Sequence, residues 1–294
     1  YVARAYSVAM SGRPGPVVLA LPEDMLIEMA HAIDRPRVER PAQAADTGDM
    51  AKFASLVSAA RSPVAIIGGA GWDQDAARDF AGFATAHGIP VAAAFRRQDA
   101  IANDCPVWAG NLGYGPNPKL VERIKAADLI IAVGARLGEA TTDSYAMVTT
   151  DHPGQTLIHI HPDPNELGRV YRTDLGICAG MSEFAAAALQ LPAPSVSNPA
   201  GADAHAEWRT WNKAEPFDTR VDLGMCVAAM RAAMPADTII CNGAGNFSGW
   251  WHRYWSHSGH GTQLAPTAGS MGYGPPAAIA AALRHPDRHV VALA

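Results

Sequence analysis

Val64-Ala65-Ile66-Ile67-Gly68-Gly69-Ala70-Gly71 is a short apolar run that stops at a glycine cluster, and residues 73–87 follow it with helical periodicity. Ala76, Phe80, Phe83 and Ala84 fall on one face of that helix. The alternation then repeats. Strand 89–94, helix 118–127, strands 129–133 and 156–160 and helix 182–189 read the same way. Continuous apolar strands bounded by glycine and separated by helices predict a parallel sheet covered on both faces. Each crossover is expected to be right-handed. The fold class is therefore α/β, built on doubly wound parallel sheets, with residues 49–190 long enough for a complete unit.

Outward from this block the chain divides in two directions. On its N-terminal side, residues 2–10 read as the end of a helix, Gly12-Arg13-Pro14-Gly15 as a turn, and 16–21 as a fully buried strand. Residues 35–48 turn polar and rich in Pro and Ala, a linker signature. On the other side, residues 191–203 form a second linker with Pro192, Pro194 and Pro199. Beyond it, helix 222–233, strand 238–241, a helix from Asn246 and strand 288–293 open another α/β sheet. The expected division is 1–34, linker 35–48, central unit 49–190, linker 191–203 and final unit 204–294. Only the central unit reads as whole, and the sequence stops in what reads as the middle of a domain.

Composition narrows the function classes. The 294 residues carry 23 basic and 28 acidic side chains, a formal net charge of −5, with no basic block to track a phosphate backbone. Nucleic acid is not expected as a partner. No apolar run reaches the roughly 18 residues of a membrane span, so no membrane partner is expected either. Cys105, Cys178, Cys226 and Cys241 are widely spaced with no Cys-x-x-Cys, which predicts reduced, mostly buried thiols and a cytoplasmic protein. His159 and His161 share one face of a strand but lack a third ligand at a plausible spacing, so no metal site is assigned.

Several glycine turns could meet a ligand. After Gly68-Gly69-Ala70-Gly71, the third glycine of a dinucleotide fingerprint is replaced by Gln74, and the next strand ends in Ala92-Ala93-Ala94 with no acidic residue. A dinucleotide site is disfavoured; a tight turn and some nucleotide contact both stay open. Gly134-Ala135-Arg136 ends another strand, where Arg136 reads equally as a diphosphate ligand or a surface arginine. Trp250-Trp251-His252-Arg253-Tyr254-Trp255 is dense enough to line a pocket or an interface, and His257 and His260 read as loop residues. Asn242-Gly243-Ala244-Gly245-Asn246-Phe247-Ser248 is a stronger signal, a glycine-rich strand end offering Asn246 and Ser248 at a helix N-terminus suited to a diphosphate. Gly269-Ser270-Met271-Gly272-Tyr273-Gly274-Pro275-Pro276 is a second such turn, with Met271 held between glycines and prolines placed for a helix start. Consecutive βα turns of one sheet can converge on a single ligand.

In this order the motifs resemble the thiamine-diphosphate-dependent enzymes, specifically the acetolactate synthase-like group. Ser11 to Val17 resembles the close of the pyrimidine-binding domain. Residues 49–190, with Val133-Gly134-Ala135-Arg136 and His159-Ile160-His161-Pro162-Asp163, resemble the Rossmann-like central domain. Asn242 to Ser248 and Gly269 to Ala277 resemble the start of the diphosphate-binding domain. The resemblance implies a complete central domain flanked by two truncated ones. It implies thiamine diphosphate as cofactor, contacted by Gly245, Asn246, Phe247, Ser248, Gly269, Ser270, Met271 and Gly272. Met271 is the implied wedge between the cofactor rings, and the Gly269 carbonyl the implied acceptor from the 4′-amino group. The activating glutamate and the Mg²⁺ ligands are implied to lie outside this sequence, so no catalytic and no metal-binding residue is assigned within it. FAD or ADP on the central domain is left open, because Leu137-Gly138-Glu139-Ala140 departs from the acidic, arginine-containing stretch of acetolactate synthases and Arg96-Arg97 replaces a shorter neutral segment. The implied reaction is decarboxylation of a 2-oxo acid with carboligation, in a homodimer or tetramer. Simple 2-oxo acid or acyl-CoA decarboxylation or lysis is the alternative within the superfamily. A non-catalytic adenine-nucleotide-binding regulatory module is the alternative of another class.

Overall fold

The computed structural model describes residues 1–34, 36, 38–148, 154–195 and 198–294. Positions 35 and 37 of the first expected linker, and 196 and 197 of the second, lie outside the described residues. In chain order the elements are α1 (Val2–Met10), α2 (Glu23–Leu26), α3 (Thr47–Ala59), β1 (Pro63–Ile67), α4 (Gln74–His87), β2 (Val91–Ala93), β3 (Trp108–Asn111), α5 (Pro118–Ala126), β4 (Leu129–Val133), β5 (Thr156–Ile160), β6 (Leu175–Ile177) and α6 (Met181–Leu189). They continue with α7 (Ala200–Asn212), α8 (Leu223–Ala233), β7 (Ile239–Asn242), α9 (Phe247–Tyr254), β8 (Gln263–Leu264), α10 (Gly274–Arg284) and β9 (Val290–Leu293).

The first sheet has the order β3-β2-β1-β4-β5-β6, and all of its pairings are parallel. Its strands are buried on both faces because successive side chains point to opposite sides. Ala65 and Ile67 of β1 meet Phe53, Phe80, Phe83 and Phe184 from α3, α4 and α6, while Val64 and Ile66 meet Leu120 and Ile124 from α5. This is the doubly wound α/β arrangement that the apolar runs predict. Local chemistry sets the helix limits. Asp73 caps α4 by accepting from the Ala76 N–H at 2.7 Å, and its second oxygen accepts from the Ser182 hydroxyl at 2.8 Å. Gly88, at φ +63°, closes the same helix in the left-handed conformation. A second, parallel sheet of order β8-β7-β9 carries α10 on one face and α8 and α9 on the other.

Three expectations are corrected. Residues 16–21 are not a buried strand: Val18 is 93% exposed and no strand is assigned there. An apolar run becomes a strand only when a neighbour completes its hydrogen-bond ladder, and among the described residues none lies beside it. The second linker is shorter than expected, because α7 begins at Ala200. That helix seats on β3, with Trp208 edge-on to Trp108 at 6.2 Å and the Gly201 N–H donating to the Gly88 carbonyl at 2.9 Å. The break expected at residue 204 thus falls inside a helix that covers the first sheet. Of the four free thiols only Cys241 is buried; Cys105 and Cys178 are half-buried and Cys226 is exposed.

At the point where β1 and β4 run side by side, the strand order reverses and an open α/β sheet ordinarily presents its ligand crevice. Here the turns after the two strands touch. Gly69 sits at φ +73°, and a Cβ there would lie 1.9 Å from the Gly134 carbonyl oxygen. Gly69→Ala should therefore destabilise the protein by roughly 3 kcal/mol or more, combining positive-φ strain with a backbone clash. Urea unfolding midpoints of the two forms check this, and equal midpoints would show that the turn can open freely.

Candidate cofactor site

Because β7 and β8 are parallel, the turns that leave their carboxyl ends emerge at one edge of the second sheet. The first turn runs from Gly243 into α9. The second runs from residue 265 into α10, whose first turn holds Pro275 and Pro276 without loss of an intrahelical bond. The two turns touch. The Gly243 N–H donates to the Leu293 carbonyl at 2.9 Å, and a Cβ on Gly274 would stand 2.7 Å from that same oxygen. Gly269 and Gly272 adopt φ of +76° and +77°, which a non-glycine residue adopts only at a cost.

A cleft of about 650 Å³ opens between this edge and the first sheet. Gly245, Asn246, Ser248 and Gly269 line it from the second sheet; Phe95, Arg96, Tyr114 and Glu139 face them from the first. Of the residues the sequence singled out, Phe247 turns instead toward its own sheet, packing its ring against Gly245 and Gly243. Ser270, Met271 and Gly272 lie outside the cleft lining, and Met271 is 86% exposed. Among the described residues, the backbone N–H groups of Ala244, Gly245, Asn246 and Phe247 find no acceptor. The Ser248 hydroxyl donates to the Gly245 carbonyl at 2.7 Å, and the buried Asn242 Oδ1 has no partner. Free N–H groups at a helix N-terminus fit an anionic group, and a diphosphate is matched to them in charge and donor chemistry.

The opposite wall is held in place by buried polar contacts. The Gln98 N–H donates to Gln263 Oε1 at 2.8 Å, and Gln98 Nε2 donates to the His252 carbonyl at 2.7 Å. Asp99 Oδ2 accepts from the Gly261 N–H at 2.9 Å, and Asn103 Oδ1 from the His257 N–H at 2.8 Å. Burial, then Arg96 and His257, push the His252 imidazole down to about 4; burial does the same to His257, against the opposing pull of Asp99. His257 lies in a loop, as the sequence led one to expect, and there forms a buried strut between the sheets. Sequence reasoning missed Phe95 and Tyr114 as cleft residues, whereas His252 belongs to the aromatic cluster read as able to line a pocket. The unusual Arg96-Arg97 pair and the Leu137-Gly138-Glu139-Ala140 stretch were the signals from that wall.

The other motifs resolve differently. Arg136 does not reach toward a diphosphate; it pairs with the buried carboxylate of Glu166 at 3.3 Å, which Arg13 and Arg169 also bind at 2.6 and 2.9 Å. Burial opposes ionisation of Glu166, but Arg136, Arg13 and Arg169 outweigh it and hold the carboxyl below its ordinary range. The Gly68–Gly71 turn is closed by Gly134 and by Trp72, whose Nε1 donates to the Gly68 carbonyl at 2.8 Å. His159 engages the Ala135 carbonyl at 2.8 Å through Nε2, and no group of three or more His, Cys, Asp or Glu side chains among the described residues could hold a metal ion. In the aromatic cluster, Tyr254 and Trp255 are core residues of the second sheet, while Trp250 remains exposed. No helix among the described residues is long and apolar enough to cross a membrane.

Two family descriptions match the chain: "Thiamine pyrophosphate enzyme, central domain" over residues 50–188, and "Thiamine pyrophosphate enzyme, C-terminal TPP binding domain" over 243–294. The chain belongs to the thiamine pyrophosphate enzymes. It is 26% identical over 308 residues to the acetolactate synthase large subunit of Corynebacterium glutamicum, covering 99% of this chain and 48% of that protein. It is equally 26% identical, over 311 residues, to the sulfoacetaldehyde acetyltransferase of Rhodobacter capsulatus, covering 95% of this chain and 52% of the relative. The chain thus spans about half the length of the curated relatives it matches. The crystal structure of benzoylformate decarboxylase from Polynucleobacter necessarius superposes with a TM-score of 0.77 at 22% identity, over 98% of this chain and 54% of that one, a likeness of fold. Membership in a family of thiamine pyrophosphate enzymes sets aside the reading as a non-catalytic nucleotide module.

The buried histidines of this thiamine pyrophosphate enzyme give a pH prediction. His252 and His257 hold folded pKa values of about 4, below the roughly 6.5 of an exposed imidazole, so between those pH values the unfolded chain binds more protons than the folded one. Stability is full above about pH 6.5 and should fall as the pH drops toward 4. Denaturant midpoints between pH 7 and 4.5 check this, with His257→Gln expected to flatten the slope.

Proposed function

We propose that the whole protein carrying this chain decarboxylates a 2-oxo acid and joins the remaining fragment to a second carbonyl, in the manner of the acetolactate synthase-like group. The observation that carries the reading is the convergence of the turns at 243–248 and 269–274 on one cleft edge, with free N–H groups on the first and positive-φ glycines on the second. Bound thiamine diphosphate would supply the nucleophilic carbon and electron sink that side chains lack.

The residues of this chain have distinct tasks in that reading. Gly245, Asn246 and Phe247 receive the diphosphate at the start of α9 through backbone donors and the helix dipole, with the Ser248 hydroxyl beside them in the cleft lining. Gly269 leaves room for a ring to approach its carbonyl, since nothing lies within 4 Å of where its Cβ would be. Met271 stands out from the fold between two permissive glycines, an unbranched apolar side chain suited to wedge against a ring. Ser270 and Gly272 complete the turn that holds it. Mg²⁺ is assigned to ligands outside this chain. The closed Gly69–Gly134 crevice argues against a flavin or ADP on the central sheet. We divide the protein at the linker 35–48 and after α7 (Ala200–Asn212), which closes the central unit, and assign the whole protein to a homodimer or tetramer.

Calorimetric titration of thiamine diphosphate with Mg²⁺ into the whole protein should give saturable binding. Met271→Ala should weaken that binding or the turnover of pyruvate by about tenfold, roughly the loss of one well-packed apolar contact. Product analysis with pyruvate should show a carbon–carbon joined product rather than free aldehyde alone. Failure of the whole protein to bind thiamine diphosphate would overturn the reading.

A further inference from the structure

Arg96 is an anomaly of charge. It follows β2 into the cleft, is only 7% exposed, and no carboxylate among the described residues lies within ion-pairing distance of it. A buried cation without a counter-ion is costly, and structures retain one where a ligand supplies the missing charge. The contrast within this chain is direct: Arg13, Arg136 and Arg169 all share one buried glutamate. Arg96 is also held at φ +58°, a backbone conformation that costs a non-glycine residue energy and that the surrounding packing must enforce.

The guanidinium is fixed and its remaining donors are unused. Nη1 donates to the Pro266 carbonyl at 2.6 Å, the group rests over the Phe95 ring at 4.7 Å, and the buried Nε has no partner. The Pro266 carbonyl also accepts from the Gly269 N–H at 2.9 Å. Arg96 and the Gly269 turn therefore hang from one oxygen. That places the cation at the turn bearing Met271, on the wall opposite the free N–H groups of α9. Its other lining neighbour with a positive option, His252, is kept neutral by burial, so Arg96 is the fixed cation of this part of the cleft.

We propose that Arg96 recognises the carboxylate of the 2-oxo acid substrate, orienting its carbonyl toward the Gly269–Gly272 turn; this rests on the reading of the site given under Proposed function. A planar guanidinium with one edge tethered can still offer two parallel N–H donors to a carboxylate, which a lysine cannot. The substrate class is then a small 2-oxo acid bound as its anion, and its neutral ester should be refused.

The test uses the whole protein saturated with thiamine thiazolone diphosphate, which cannot add to a carbonyl, and in parallel the protein without cofactor. Pyruvate, benzoylformate and methyl pyruvate are titrated calorimetrically, and thiamine diphosphate affinity is measured separately. At least one of the two acids should bind more tightly than the ester. Arg96→Met should weaken that acid by about tenfold to a hundredfold and abolish its preference over the ester, whereas Arg96→Lys should keep part of both. Thiamine diphosphate should bind all three proteins within about twofold. Arg96→Met binding the acid as wild type does, no preference for either acid in wild type, or a tenfold loss of thiamine diphosphate binding in Arg96→Met would each overturn the assignment. Should Arg96→Met not fold, unchanged acid binding in the folded Arg96→Lys protein would overturn it as well. If wild type fails to bind thiamine diphosphate, the cofactor reading falls, and the titrations without cofactor still decide the anion site.

Discussion

Everything at the cleft depends on how the segment leaving β2 is tied to the second sheet. Gln98, Asp99 and Asn103 are buried, and the side chain of each makes at least one hydrogen bond to a backbone group between His252 and Gln263. Polar groups in so dry a place must be paired or pay a desolvation cost, so they fit only one docking of the two sheets. Apolar contacts alone would tolerate sliding. The hydrogen bonds do not, and they bring the ends of β2 and β4 opposite the ends of β7 and β8.

That docking decides the electrostatic character of the cleft. One wall offers the free N–H groups of α9, the other the Arg96 guanidinium and the Glu139 carboxylate, and the histidines, His252 in the lining and His257 behind it, are neutral because they are buried. The free N–H groups and the guanidinium are the parts of the lining suited to an anion. They also explain why the usual crevice of the first sheet is not needed for this purpose. With Gly69 and Gly134 in contact and Arg136 paired with Glu166, that crevice is closed and its arginine is held by a carboxylate.

Much of this was legible from local patterns. The largely apolar five-residue strands β1, β4 and β5, and the capping Asp73 of α4, follow from rules that act over a few residues. The elements that escaped were those whose identity comes from neighbours. β3 contains Gly110 and Asn111, β6 contains Gly176, and β8 is only two residues long, so none shows a clear period; each is a strand because an adjacent strand completes its ladder. The run at 16–21 is the converse, apolar enough for a strand but without a neighbour among the described residues. At the cleft, the glycine turns at 243–248 and 269–274 were visible because conformational permissiveness is written in residue type. Phe95 and Tyr114 were not, because ordinary aromatic residues become cleft residues only through position.

The sequence by itself determined the alternating α/β order, the parallel sheets and the two glycine turns, since hydrophobic period and the absence of a Cβ are properties of residues and their immediate neighbours. Only the tertiary structure decided which turns face the cleft. It closed the Gly69 turn against Gly134, tied Arg136 to the buried Glu166, and left Arg96 without a carboxylate partner beside Gly269. Those outcomes depend on distances between residues far apart in the chain, set by packing and by buried hydrogen bonds that no local pattern encodes.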